Sequence, residues 1–262
     1  MIDDTVANII LIISGFGSGL YVGIASGTAG FILIPTLTIF LSYSIHKVIG
    51  TSLIVDCIIG AVAGIIFLKH GNVKIRPTIL LIITAIFGAF IGSQFTSGTP
   101  EAALNLIIGL FLLGFGINFV INGIQKNIDF FQRTLRLERF KERRTPLFII
   151  LGIVVGLASG YMGMGSSGTV TIILLFILGY DLHTAIGTSL VMMPFIAGSG
   201  AFGHYLNNEV ILSAALFVGI SAAIGASTGS LFANKVDENK LGRVYGFLIT
   251  FLGIVIIGKM FL

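Results

Sequence analysis

The chain has 262 residues, of which 55% are hydrophobic and only 10% charged, with 35 glycines and a formal net charge of +4. A mean hydropathy of +1.06 excludes a soluble globule, whose surface needs more charge. The apolar runs reach the roughly 20 residues that a membrane-spanning helix requires, and the excess positive charge lies in loops, where it reports orientation and gives no nucleic-acid signal.

In chain order, Met1-Ile2-Asp3-Asp4 lacks a basic n-region, so the first apolar run is expected to stay as a span. Five apolar segments follow one another at 6–24, 28–43, 48–68, 77–97 and 103–124. A polar stretch at 125–146 then carries Lys126, Arg133, Arg136, Arg139, Lys141, Arg143 and Arg144 against Asp129, Glu138 and Glu142. Phe130, Phe131, Leu135, Leu137 and Phe140 interleave with those charges, as in a helix lying on a membrane surface. Five more apolar segments occupy 147–163, 167–180, 184–206, 210–232 and 241–261. The expected architecture is an all-α polytopic membrane protein: a first repeat at 1–124, a basic linker at 125–146 and a second repeat at 147–262.

The two halves repeat at a constant offset of 137 positions. His46-Lys47-Val48-Ile49-Gly50-Thr51-Ser52-Leu53 returns as His183-Thr184-Ala185-Ile186-Gly187-Thr188-Ser189-Leu190. Gly15, Gly19 and Gly23 pair with Gly152, Gly156 and Gly160, and Gly88 and Gly92 with Gly225 and Gly229. Such duplication is a common way of building a transport pathway between two halves of a membrane protein. The basic loops at 69–76 and 233–243 and the linker are expected on the cytoplasmic side. The N-terminus and the turns at Glu101 and Glu209 then face outward, and five crossings per half put both termini outside. An odd number makes the repeats inverted. Four crossings, with 28–43 or 167–180 re-entrant, would make them parallel.

Three groups of residues are candidates for chemistry. Gly-rich turns in each half contain Gly27, Thr28 and Gly30, and Gly163, Gly165, Ser166, Ser167 and Gly168. Unwound backbone at membrane depth is tolerated where it lines a cavity, and a new helix start offers free N–H groups and a positive dipole end to an anion. The short segments that follow suit half-helices starting inside the bilayer. Gly15, Gly19 and Gly23, spaced by four, are read instead as helix crossings. The repeated Thr51-Ser52 and Thr188-Ser189 offer hydroxyls that cap a helix or bind an anion's oxygens. Asp56, one turn after Ser52, is a carboxylate within an apolar helix, opposite Met193 in the repeat. It is a candidate proton carrier, or a carboxyl beside a vestibule or bonded to backbone. His204, Asn118 and Asn122 are weaker polar candidates, while His46 and His183 sit in turns. The single cysteine, Cys57, excludes an intramolecular disulfide, and no CxxC or HExxH run is present. No metal site or catalytic residue is expected.

The Gly-rich turn, the Gly-Thr-Ser-Leu motif, the Asn72-Val73 or Glu209-Val210 turn and the Gly-x-x-x-Gly helix of each half, with Pro35 in the first half alone, resemble the TauE/SafE family. The resemblance implies a permease for small sulfur-containing anions such as sulfite or organosulfonates, in the cytoplasmic membrane, without a cofactor or ATPase activity. Gly27-Thr28-Ala29-Gly30 has fewer consecutive glycines than is usual in the family, and Ser166-Ser167 stand where glycines are common. An anion channel, or a permease for another small anion such as a carboxylate, is the alternative.

Overall fold

The computed structural model describes residues 4–104, 106–107, 144–163 and 166–236. Among them all regular structure is helical. In chain order the helices are α1 (Asp4–Ala25), α2 (Gly30–Phe40), α3 (Ile45–Lys69), α4 (Ile79–Ser97), α5 (Arg144–Met162), α6 (Ser167–Ile177), α7 (Leu182–Leu206) and α8 (Leu212–Ala233). The expected segments at 125–143 and 241–261, and most of 103–124, lie outside the described residues.

Six of these helices (α1, α3, α4, α5, α7 and α8) are long and apolar enough to cross a membrane. The other two, α2 and α6, have 11 residues each. At 1.5 Å per residue they span about 16 Å, roughly half the hydrocarbon thickness. Large apolar side chains such as Ile13, Phe87, Phe95, Leu216 and Ile220 are exposed, as suits surfaces that face lipid rather than water.

The element boundaries follow from backbone chemistry. After α1 the chain breaks at Ser26, which adopts φ 49°. After α2 it turns at Ser42, φ 53°, so the helix ends at Phe40 and not at the expected residue 43. After α3, Gly71 takes φ 76°, the usual left-handed exit of a helix. Pro77, at the first turn of Arg76–Thr78, pre-sets the helical φ leading into α4. In the second half α7 is capped by Asp181, whose carboxylate accepts from the Thr184 N–H at 2.8 Å.

The 137-residue offset survives in the fold. α6 and α7 repeat the bounds of α2 and α3 at that offset. Among the described residues, the six with positive φ form three pairs at the same offset: Ser26 with Gly163, Ser42 with Gly179, and Gly71 with Asn208. Packing follows the same rule with the halves exchanged. α1 lies against α8 and α4 against α5, while α3 and α7 pack on each other.

The crossings are backbone to backbone. A Cβ on Gly19 or Gly23 would overlap the carbonyl of Ala222 or Ala226, and one on Gly156 or Gly160 that of Ala85 or Ala89. In return, Gly225 and Gly229 receive the carbonyls of Phe16 and Leu20, and Gly88 and Gly92 those of Ile153 and Leu157. The glycines spaced by four are therefore crossing residues, as the sequence suggested.

α3 and α7 run antiparallel, because the start of α3 lies against the turn after α7 and the start of α7 against the turn after α3. Gly50 meets the Glu209 carbonyl and Gly187 the Asn72 carbonyl. One end of the molecule thus gathers His46, Thr99, Glu101 and Glu209, with Asn207 donating to Ser97. The other gathers Lys74, Tyr180, Asn234 and His183: Asn72 donates to Asn234, Tyr180 donates to the Lys74 carbonyl, and Lys74 Nζ lies over the Tyr180 ring.

Candidate functional site

The two helix breaks meet in the interior, where hydroxyls and free backbone groups collect. Ser26, Thr28, Ser52, Asp56, Ser159, Ser166, Ser167, Thr171 and Ser189 are all at most 2% exposed. Ser26 Oγ lies 2.6 Å from Ser189 Oγ and 2.8 Å from Thr171 Oγ1, and the latter two are 2.7 Å apart. Ser189 Oγ also donates to the Ile186 carbonyl at 2.8 Å. Three hydroxyl protons serve these four contacts, so rotation of one hydroxyl changes which neighbour donates. Ser52 occupies the equivalent place in the first half. It donates to the Ile49 carbonyl at 2.8 Å and to the Gly163 carbonyl at 3.2 Å.

Each broken turn is held by the opposite half. Ser167 Oγ donates to the Gly27 carbonyl. A Cβ on Gly30 would lie 2.6 Å from the Gly163 carbonyl, and one on Gly168 would lie 3.1 Å from the Ser26 carbonyl. Gly163 itself has φ 63°, a conformation that glycine adopts freely. Gly165 lies outside the described residues. Ser26 holds the same conformation with a side chain, which costs of order 1–2 kcal/mol. Strain of that kind at a buried polar centre is a reason to look for function there.

Asp56 is fully buried. Its Oδ2 accepts from the Thr28 hydroxyl and its Oδ1 from the Ala29 N–H, each at 2.7 Å, while Thr28 Oγ1 accepts from the Gly30 N–H at 3.1 Å. The carboxylate therefore sits on the start of α2, where backbone donors and the dipole favour negative charge. Bonding to backbone, one of the alternatives the sequence left open for Asp56, is present in this geometry.

The repeated Gly-Thr-Ser divides by residue. Thr51 Oγ1 donates to the Lys47 carbonyl at 2.6 Å and accepts from the Ile211 N–H at 3.0 Å. Thr188 Oγ1 accepts from the Lys74 N–H at 2.9 Å. Both threonines thus clamp the turn of the opposite half, and Gly50 and Gly187 make room for the same turns. Only the serines of the motif reach the broken turns. His46 and His183 also match: Nε2 of each lies about a hydrogen bond from a carbonyl that follows α4 or α8, at 2.9 Å to Thr99 and 3.1 Å to Val236.

The sequence did not single out Ser26, Thr171 or Ser159, and it ranked His204 only as a weaker candidate. Ser26 and Thr171 complete the hydroxyl cluster; the signal for Ser26 was its alignment with Gly163. Ser159 and Ser166 have buried Oγ atoms with no hydrogen-bond partner. His204, fully buried in α7, has Nδ1 2.8 Å from Glu209 Oε2 and Nε2 2.8 Å from the Gly160 carbonyl. A carbonyl cannot donate, so Nε2 carries a proton, and the Nδ1–carboxyl contact needs one more. The pair therefore holds one proton beyond a neutral imidazole and an ionised carboxylate. Burial raises the Glu209 carboxyl, but bonds from His204 and Ser97 and the charges of His204 and His46 outweigh this and leave it below the ordinary range. Asn118 and Asn122 lie outside the described residues. Among the described residues no group of His, Cys, Asp and Glu is arranged to hold a metal.

Residues 8–256 match the family described as Sulfite exporter TauE/SafE. The chain is similar to the probable membrane transporter protein YdhB of Bacillus subtilis, 26% identical over 232 residues that cover 87% of this chain and 91% of the relative. It is similar to a probable membrane transporter protein of Methanocaldococcus jannaschii, 23% identical over 262 residues, covering 94% and 93% of the two chains. A probable membrane transporter protein of Xylella fastidiosa is 26% identical over 264 residues, 93% of this chain and 94% of the relative. No solved structure is significantly similar.

Proposed function

The chain belongs to the TauE/SafE family of membrane transporters, and from that premise we propose that it is a secondary transporter exporting a small sulfur-containing anion such as sulfite or an organosulfonate. The observation that carries this reading is the buried centre where both broken turns meet. It combines hydroxyls of Ser26, Ser52, Ser167, Thr171 and Ser189 with two helix starts, donors suited to an anion's oxygens without Lys or Arg. Gly30, Gly163 and Gly168 let the opposite half approach, while Gly27 leaves room for the Tyr21 ring of its own half. Thr51 and Thr188 serve the site by positioning it.

The halves are read as inverted repeats, supported by the antiparallel α3 and α7 and by contacts that recur with the halves exchanged. Lys69, Lys74, Arg76 and Lys235 gather towards the end opposite Glu101 and Glu209, which favours a cytoplasmic face there and termini outside. Export then runs with a membrane potential that is negative inside, worth about 2.3 kcal/mol per charge at 100 mV. Asp56 and the His204–Glu209 pair are the groups through which a proton could be coupled. The alternatives, a channel or a carboxylate permease, use the same donors; closure of the centre to solvent favours a transporter over a channel.

Flux into and out of proteoliposomes tests the reading. Sulfite or methanesulfonate flux should saturate and show counterflow, and Ser52→Ala or Ser189→Ala should lower it roughly tenfold, the loss of one hydrogen bond to a charged ligand. Full activity in both variants would remove the site from this centre, and flux of carboxylates alone would remove the sulfur anion.

A further inference from the structure

We propose that the anion is held at the start of α6, and that the Asp56 carboxylate is a built-in counterpart of that anion at the start of α2. The inference rests on the transporter reading above and narrows it to one of the two broken turns.

The two helix starts are equivalent in backbone but opposite in chemistry. Ser26 and Gly163 make the same left-handed break, and α2 and α6 begin 137 positions apart. At the start of α2 the Ala29 N–H and Thr28 hydroxyl point their protons at the two oxygens of Asp56. A carboxylate from α3 thus fills the place that an oxyanion takes at a helix N-terminus. At the start of α6 the residue equivalent to Asp56 is Met193, buried and without oxygen. The residue equivalent to Ala29 is Ser166, the N-cap residue of α6, which makes no side-chain cap bond.

A second observation points the same way. Ser166 Oγ is buried at the helix start and has no hydrogen-bond partner. Ser159 Oγ, on the last full turn of α5 before the break, is buried and equally unpartnered. Its own carbonyl accepts from the Gly163 N–H at 3.0 Å, which ties that turn to the break. Buried hydroxyls are nearly always bonded, so the Ser166 orphan at this helix start, with a second at Ser159 on the turn before the break, calls for a missing partner. What the first half supplies there and the second half lacks is a pair of anionic oxygens. The donors are neutral, with no Lys or Arg side chain among the residues named, so the ligand is a small monoanion such as hydrogensulfite, a sulfonate or a carboxylate. A dianion without a counter-charge would be far costlier to bury.

The test is a thermal-shift titration of the detergent-purified full chain with methanesulfonate, hydrogensulfite, acetate and sulfate. The wild type should be stabilised by one or more of the monoanions and less by sulfate. Ser159→Ala and Ser166→Ala should raise the melting temperature of the ligand-free protein, because each deletes an unpartnered polar atom. The same variants should raise the half-effect concentration roughly tenfold, as expected for one lost bond to a charged ligand. Met193→Asp carries a carboxylate to the α6 start and should abolish the response, whereas Met193→Leu should keep it. The serine variants decide the matter whether or not Met193→Asp folds. An unchanged titration in both serine variants, with a responding wild type, overturns the placement at α6 and leaves the transporter reading standing. A wild type that responds to none of the anions overturns both.

Discussion

Ser26, Ser42 and Asn208 hold left-handed backbone, and the equivalent position in the other half is each time a glycine. The fold therefore demands that conformation, and the side chain is extra. At Ser26 the hydroxyl is used in the buried cluster, so the strain accompanies a contact. Ser42 lies in the turn after α2, where no such contact accompanies it among the hydrogen bonds of the described residues. Ser42→Gly should accordingly stabilise the protein by roughly 1 kcal/mol, read as a higher melting temperature in detergent. A lower melting temperature would mean that the serine side chain holds the turn. The residue scale is also where the sequence was hardest to read. Gly-Thr-Ser looked like one functional unit, yet Gly50 and Thr51 answer to Glu209 and Ile211 of the other half. No periodicity within one segment carries that information, and the missing partners of Ser159 and Ser166 are equally invisible there.

Among the helices, the tightest pairs join opposite halves: α1 with α8 and α4 with α5. These crossings depend on small residues because lipid offers no hydrophobic drive between helices, leaving close packing to hold them. Gly17 and Gly19 sit two positions apart in α1 but have different surroundings. A Cβ on Gly19 would strike the Ala222 carbonyl, while one on Gly17 meets nothing within 4 Å. Gly19→Ala should cost about 1–3 kcal/mol through forced separation of α1 and α8. Gly17→Ala should be neutral or stabilise by up to about 1 kcal/mol through helix propensity. Parallel thermal unfolding of the two variants checks the pair, and equal effects would contradict the crossing. Much of this level was legible from the chain. The spacing of Gly15, Gly19 and Gly23 foretold a crossing, and the Gly/Ser runs foretold breaks before the short α2 and α6. The partner of each crossing was not legible, because the same Gly-x-x-x-Gly spacing occurs in all four helices.

At the scale of the described molecule, each end carries a carboxyl held below its ordinary range, and acid should act on both. At one end Glu209 is held below its ordinary range, as described above. At the other, burial raises the Asp181 carboxyl, but the Thr184 bonds and the Lys74 charge leave it lowered. A carboxyl lowered by folding contributes stability above its unfolded value, and that contribution is lost as the pH falls through the folded value. The melting temperature should therefore be level from about pH 7 to 5 and fall below about pH 4. Glu209→Gln should flatten part of that decline. A wild-type profile that stays level to about pH 3 would contradict the pairing of these carboxyls.

The two threonine clamps carry a consequence for movement. Thr51 grips Ile211 at one face of the α3–α7 pair, and Thr188 grips Lys74 at the opposite face. Each face is thus closed by a latch of the same make, and neither latch has both its parts in one half. Opening one face while the other stays fastened would swing the halves about the packed middle of α3 and α7, where Gly60 meets Pro194 and Met193. A single duplicated tetrad would then act as two doors that take turns, with the buried hydroxyls between them.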